Sequence, residues 1–143
     1  MTRPVLLACV MLVLGSVAAE AATVRIVKDR GGRIGNYVRD YTALKHSGER
    51  VAIDGPCLSA CTLILGFVPR ERICVTRQAR LGFHAAWNPG ANGATTISDA
   101  GTRFLMDVYP GHVRSWLARK GGLSRQMVYL EGRELAAMYP RCR

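Results

Sequence analysis

Gly55-Pro56-Cys57-Leu58-Ser59-Ala60-Cys61-Thr62-Leu63-Ile64-Leu65-Gly66 decides how the rest of this 143-residue chain is read. A β-branched run, Val51-Ala52-Ile53-Asp54, enters it, and an apolar helix-like run leaves it. Gly55-Pro56 forces a turn between them, so Ser59 falls at the start of a helix. Two roles suit a serine there. It is either an N-cap, whose hydroxyl accepts from a free backbone N–H, or a nucleophile held out of a turn beside the positive end of a helix.

The pattern on either side of this turn is β-α-β-α-β-β. Thr23-Val24-Arg25-Ile26-Val27 alternates like a strand, and Gly31-Gly32 breaks it. Ile34, Tyr37, Val38, Tyr41 and Leu44 recur at helical spacing, ending near His46-Ser47-Gly48. After the Ser59 turn, a short buried helix is expected to about Leu65, then strands at Arg72–Val75 and Ala79–Phe83, the second ending at His84. Ala85–Thr96, rich in Gly, Asn and Pro, reads as a mobile loop. Ser98 is a good cap for a helix to Tyr109, a second helix carries Val113, Trp116 and Leu117, and Ser124 begins a short helical segment. Glu131 and Glu134 resemble a capping pair for a last helix through Met138. The expected fold is α/β, a mostly parallel sheet with right-handed crossover helices followed by C-terminal helices.

The first residues carry a different signal. Arg3, an apolar run from Val5 to Leu14 and the small residues around Ala19-Glu20-Ala21 fit a secretory signal peptide over residues 1–21. The expected mature chain is one domain over residues 22–143, beginning near Ala21-Ala22, periplasmic or secreted. Cys9 belongs to the discarded part. Four cysteines remain, Cys57, Cys61, Cys74 and Cys142, an even number that in an oxidising compartment suggests two disulfides. Of the three connectivities, one joining Cys57 to Cys61 is the least attractive, because residues four apart around a helix start hold their Cβ atoms too far apart. Cys57-x-x-x-Cys61 is followed by no second close pair, so no metal is assigned and no cofactor is expected.

The formal net charge is +10, and seventeen of the twenty basic residues are arginine, spread along the chain rather than clustered with aromatics. That spacing argues against nucleic acid and favours weak attraction to anionic envelope surfaces or acidic partners.

Three features share one end of the expected layer. Gly31-Gly32 lies between a strand and a helix, Ser59 follows 27 residues after Gly32, and His84 ends a strand 25 residues after Ser59. In a parallel layer ligands collect at the C-terminal ends of strands. A serine, a histidine and two converging N–H donors suffice for acyl transfer. Gly31-Gly32, Cys57-x-Ser59-Ala60-Cys61-Thr62, Leu81-Gly82-Phe83-His84, Gly121-Gly122-Leu123 and Leu130-Glu131-Gly132-Arg133-Glu134-Leu135 occur in that order. The set resembles the Clp-protease/crotonase superfamily, in particular its small exported Clp-protease-like branch, from about residue 24 to 139. The resemblance implies a serine hydrolase acting on a peptide or protein substrate. Ser59 would be the nucleophile and His84 its base, with the N–H groups of Gly32 and Ala60 as the oxyanion hole.

The chain departs from that pattern at one place. Clp-type peptidases orient the histidine with an aspartate before the last helix, and Gln126-Met127-Val128-Tyr129 holds no acid. Glu131, Asp99 and Asp107 are the candidates for a third triad member. A catalytically silent binding module on the same fold, and an envelope structural protein in which Ser59 only caps a helix, are the alternatives. His46 and His112 read as a helix-end and a surface histidine, Trp87 as a loop residue that either lines a pocket or, as loop tryptophans more often do, covers the core, and Trp116 as core.

Overall fold

The computed structural model describes residues 22–143; the expected signal peptide, with Cys9, lies outside the described residues. Strand β1 (Thr23–Ile26) leads through Asp29 and the Gly31-Gly32 loop into helix α1 (Ile34–Ser47). The chain then runs through β2 (Arg50–Ile53) and β3 (Pro56–Leu58) to a 3₁₀ turn, Ser59–Leu63, that continues as α2 (Ile64–Phe67). β4 (Ile73–Val75) and β5 (Arg80–Phe83) follow, then β6 (Trp87–Pro89) and β7 (Thr95–Ile97), helices α3 (Asp99–Val108) and α4 (Gly111–Arg119), strand β8 (Val128–Glu131) and α5 (Gly132–Met138).

The molecule is mixed α/β. The expected single, mostly parallel layer is divided into two small sheets and a hairpin. One sheet has the order β1-β2-β4, all parallel; the other has β3-β5-β8, parallel between the first two and antiparallel between the last two. The bend at Asp54-Gly55 carries the chain from β2 directly into β3. Beyond β1, Asp29 forms an isolated parallel bridge to Cys57, its N–H donating to Pro56 O (2.8 Å) and its carbonyl accepting from Leu58 N (2.9 Å). That pairing sets the Gly31-Gly32 loop beside the end of β3.

Two sequence expectations are corrected. Ala85–Thr96 holds the β6–β7 hairpin, whose turn uses Asn92 and Gly93 at φ 56° and 77°, the left-handed pair that Asn-Gly accommodates. The segment after Ser124 is not helical; it leads into β8, because Val128–Glu131 pairs with Phe83–Arg80 of β5. Ser98 does cap α3, accepting from Gly101 N (3.1 Å). Trp116 is buried, packed against Phe83 with ring centroids 5.7 Å apart.

The core lies between the sheets and the helices, with Ile53, Leu63, Ile64, Ile73, Leu81, Phe83, Tyr109, Trp116, Leu117, Leu130, Leu135 and Tyr139 all buried. Large rings such as Trp116 and Phe83 each remove on the order of 150–250 Å² from water, which makes their contacts the main source of cohesion. Arg72 ties α1 to this core by donating to Leu44 O and Lys45 O in its last turn and to Glu49 O just beyond its end. Two disulfides are formed, Cys57–Cys61 and Cys74–Cys142. The second sits where Val75 N donates to Pro140 O and Cys142 N to Val75 O, fastening residues 140–142 along β4. Among the described residues no helix is long and apolar enough to cross a membrane.

His112 is partly buried on α4, not on the open surface. Its Nε2 lies 3.1 Å from Tyr139 Oη, and Arg70 stacks near the same tyrosine ring. Burial, with the Arg70 charge adding to it, holds His112 below the ordinary histidine pKa of 6.5. As pH falls below that value the unfolded chain takes up this proton before the folded one does, so stability above it is lost on acidification. His112→Gln is therefore expected to flatten the fall of melting temperature between about pH 7 and pH 5. A wild-type slope in the variant would overturn this.

Candidate active site

The Cys57–Cys61 bridge and the backbone of Ser59 explain each other. Ser59 has φ 56°, in the left-handed region that non-glycine residues seldom enter. That reversal folds the turn enough to place the Cα atoms of Cys57 and Cys61 5.3 Å apart, well inside disulfide reach. The sequence expectation against this pairing assumed ordinary helical spacing, and is corrected. The cap role for Ser59 also fails. Leu58 occupies the cap position with no side-chain cap bond, and Ser59 is the first residue of the 3₁₀ turn.

β3 and β5 are parallel neighbours with Leu58 opposite Gly82, so Ser59 and His84 leave adjacent strands at the same end. Neighbouring strands are about 4.8 Å apart, which brings the two residues to one rim of the sheet. Gly82 keeps that face low. A Cβ there would stand 2.5 Å from Met127 Sδ and 2.7 Å from a Leu58 methyl.

The glycine loop closes on the same turn. Gly31 has φ 81°, and a Cβ there would stand 2.5 Å from Leu58 O and from Ser59 Cβ, and 2.9 Å from Ala60 N. Only glycine permits that approach. Asp29 holds the loop by accepting from Gly31 N (2.7 Å) and from Tyr37 Oη (2.6 Å). Burial and the adjacent Asp29 carboxylate push the Tyr37 phenol well above its usual pKa, so it remains a donor. Gly32 is exposed, and its N–H makes no hydrogen bond among the described residues. The Ala60 N–H lies in the first helical turn, where no intrahelical acceptor exists.

His84 is partly buried, with Nδ1 2.7 Å from Ala85 O. A carbonyl can only accept, so Nδ1 carries a proton, and it is Nε2 that would hold the lone pair of the neutral ring. Among the described residues no carboxylate is hydrogen-bonded to His84, and no hydrogen bond joins it to Ser59 Oγ. Glu131 pairs with Arg80 (2.9 Å) at the far end of β5, three residues along from Phe83 and roughly 10 Å away. It makes no cap bond to α5. Asp99 and Asp107 are exposed at the start and near the end of α3.

A pocket of about 280 Å³ adjoins His84, lined also by Ala85, Trp87, Thr95, Ile97, Arg125 and Met127. Ser59 is not in its lining. The β6–β7 hairpin forms one wall, anchored by Ser98 N to Ala86 O (2.8 Å) and by Arg125 to the Thr95 carbonyl (3.3 Å). The pocket is thus mostly apolar with one cation at its edge. Trp87 is half exposed within it.

The sequence reading missed the interior support of the turn. Tyr41 Oη donates to Cys61 O (3.1 Å), and the buried Thr62 hydroxyl lies 2.7 Å from Ser59 O and 2.6 Å from Tyr109 Oη. Burial pushes the Tyr109 phenol up to about 12, so its proton stays on at physiological pH. A buried polar threonine amid Ala60, Cys61, Leu63 and Ile64 was the available signal. No protein-family model matches the sequence, and a comparison with curated proteins returns no match.

Proposed function

We propose that this chain is an exported serine hydrolase, peptidase-like in its chemistry, on a Clp-protease/crotonase-like core. The observation that carries the reading is Ser59 held at positive φ at the end of β3, with His84 ending the adjacent parallel strand and Gly31 packed against Ser59 and Ala60. Ser59 Oγ attacks the substrate carbonyl carbon while His84 Nε2 takes its proton. The carbonyl oxygen becomes an oxyanion held by the Gly32 and Ala60 N–H groups. The intermediate collapses with loss of the amine, which takes the proton from His84, and water then releases the acyl group by the reverse path. The Ala85 carbonyl fixes the imidazole tautomer, the part an aspartate plays elsewhere, without contributing its negative charge. The adjoining pocket suits an apolar substrate side chain.

Treatment of the folded protein with a fluorophosphonate tests this. Ser59 Oγ would displace fluoride from phosphorus as His84 accepts the proton, and peptide mapping should find the adduct on Ser59 in folded but not denatured protein. No adduct, or one independent of folding, would sink the enzyme. A binding module using the same cleft is the second reading, favoured by the absence of a carboxylate on His84; peptide retention without labelling is its signature.

A further inference from the structure

We infer that Thr62 and Tyr109 are positioning residues that aim the Ala60 N–H into the oxyanion hole; this rests on the serine-hydrolase reading above. The Ser59 carbonyl and the Ala60 N–H belong to one planar trans peptide unit and point in opposite directions. Whatever fixes one therefore fixes the other. The Thr62 hydroxyl, 2.7 Å from Ser59 O, must donate to it, because a carbonyl cannot. That leaves Thr62 Oγ1 to accept from Tyr109 Oη, 2.6 Å away and 47 residues on. The result is a directed chain, Tyr109 O–H to Thr62 O–H to Ser59 C=O, in which each bond polarises the next.

A threonine bonding back to a carbonyl three residues earlier is common in helices and means little by itself. Here the carbonyl belongs to the residue at φ 56°, and the threonine is fully buried and fed by a phenol from the end of α3. The pull on Ser59 O is toward the protein interior. The Ala60 N–H consequently points away from Thr62, and the Gly31 backbone lies close to the Ala60 nitrogen. Tyr41 Oη donates to Cys61 O in the same turn, a carbonyl that also accepts from Ile64 N.

Thr62→Val keeps the shape and removes the donor. It is expected to slow fluorophosphonate capture at Ser59 by on the order of tenfold to a hundredfold, in the maximal rate rather than the half-saturating probe concentration. Thr62→Ser should restore most of the rate, and Tyr109→Phe should slow capture by roughly threefold to tenfold. The Ala60 amide resonance should shift in Thr62→Val and Tyr109→Phe and return in Thr62→Ser. Folded Thr62→Val reacting at the wild-type rate, or rescue failing in Thr62→Ser, overturns the inference while leaving the hydrolase standing. A wild-type protein that never labels removes the hydrolase, and an unmoved Ala60 resonance then removes the positioning role as well. Should Thr62→Val fail to fold, Tyr109→Phe and Thr62→Ser decide the matter in its place, since each alters the chain by a single small group.

Discussion

His84→Asn is expected to slow capture of Ser59 by a fluorophosphonate by roughly 10⁴-fold or more while leaving the fold nearly as stable as before. The choice of asparagine matters. Its amide nitrogen stands close to where Nδ1 stands in histidine and can donate to Ala85 O, so the bond from the His84 ring to that carbonyl is kept. What disappears is the lone pair on Nε2. A structural histidine at the end of β5 would show the opposite pattern, with unchanged labelling and, in His84→Ala, a lower melting temperature from the lost bond. Labelling rates beside melting temperatures for His84→Asn and His84→Ala separate the two. Wild-type labelling in folded His84→Asn would exclude His84 as the base.

The second large effect is on stability. Replacing both Cys74 and Cys142 by serine is expected to cost about 4 kcal/mol, against about 2 kcal/mol for the Cys57/Cys61 double replacement. The difference follows from the loops that each bridge closes in the unfolded chain, with sequence separations of 68 and 4. The long bridge removes far more freedom from the unfolded ensemble, and it also fastens residues 140–142 along β4. The short bridge acts on the turn itself, so its removal should depress Ser59 labelling more than it depresses stability. Denaturant unfolding of both double variants checks the ranking, and equal losses would contradict it.

Much of the fold was legible because periodicity is local. The spacing of Ile34, Tyr37, Tyr41 and Leu44 marks α1, and the run around Val51 marks β2, each without reference to the rest of the chain. β8 was not legible. Val128-Tyr129-Leu130 is too short to declare itself, and only pairing with β5 makes it a strand. The hairpin was recoverable from Asn92-Gly93, a turn signal that the surrounding Gly and Pro content disguised as general looseness. At the site, the order of Gly31-Gly32, Ser59 and His84 was visible, and the parallel pairing of β3 with β5 gives that order a common rim. The positive φ at Ser59 was not visible, and the misjudged Cys57–Cys61 pairing followed from it. The Tyr109–Thr62 contact joins residues with no local relation, so no pattern in either neighbourhood announces it.

The Ser59 turn is restrained by three unlike means: a covalent loop, a steric seat against Gly31 and two buried phenols. Its unfavourable backbone angle is therefore an expense of folding, met once, and the loss of freedom it represents does not recur at each encounter with a ligand. Binding at this rim should accordingly carry a small entropic penalty on the protein side, with amide exchange at Leu58, whose N–H donates to Asp29 O, already slow before any ligand arrives.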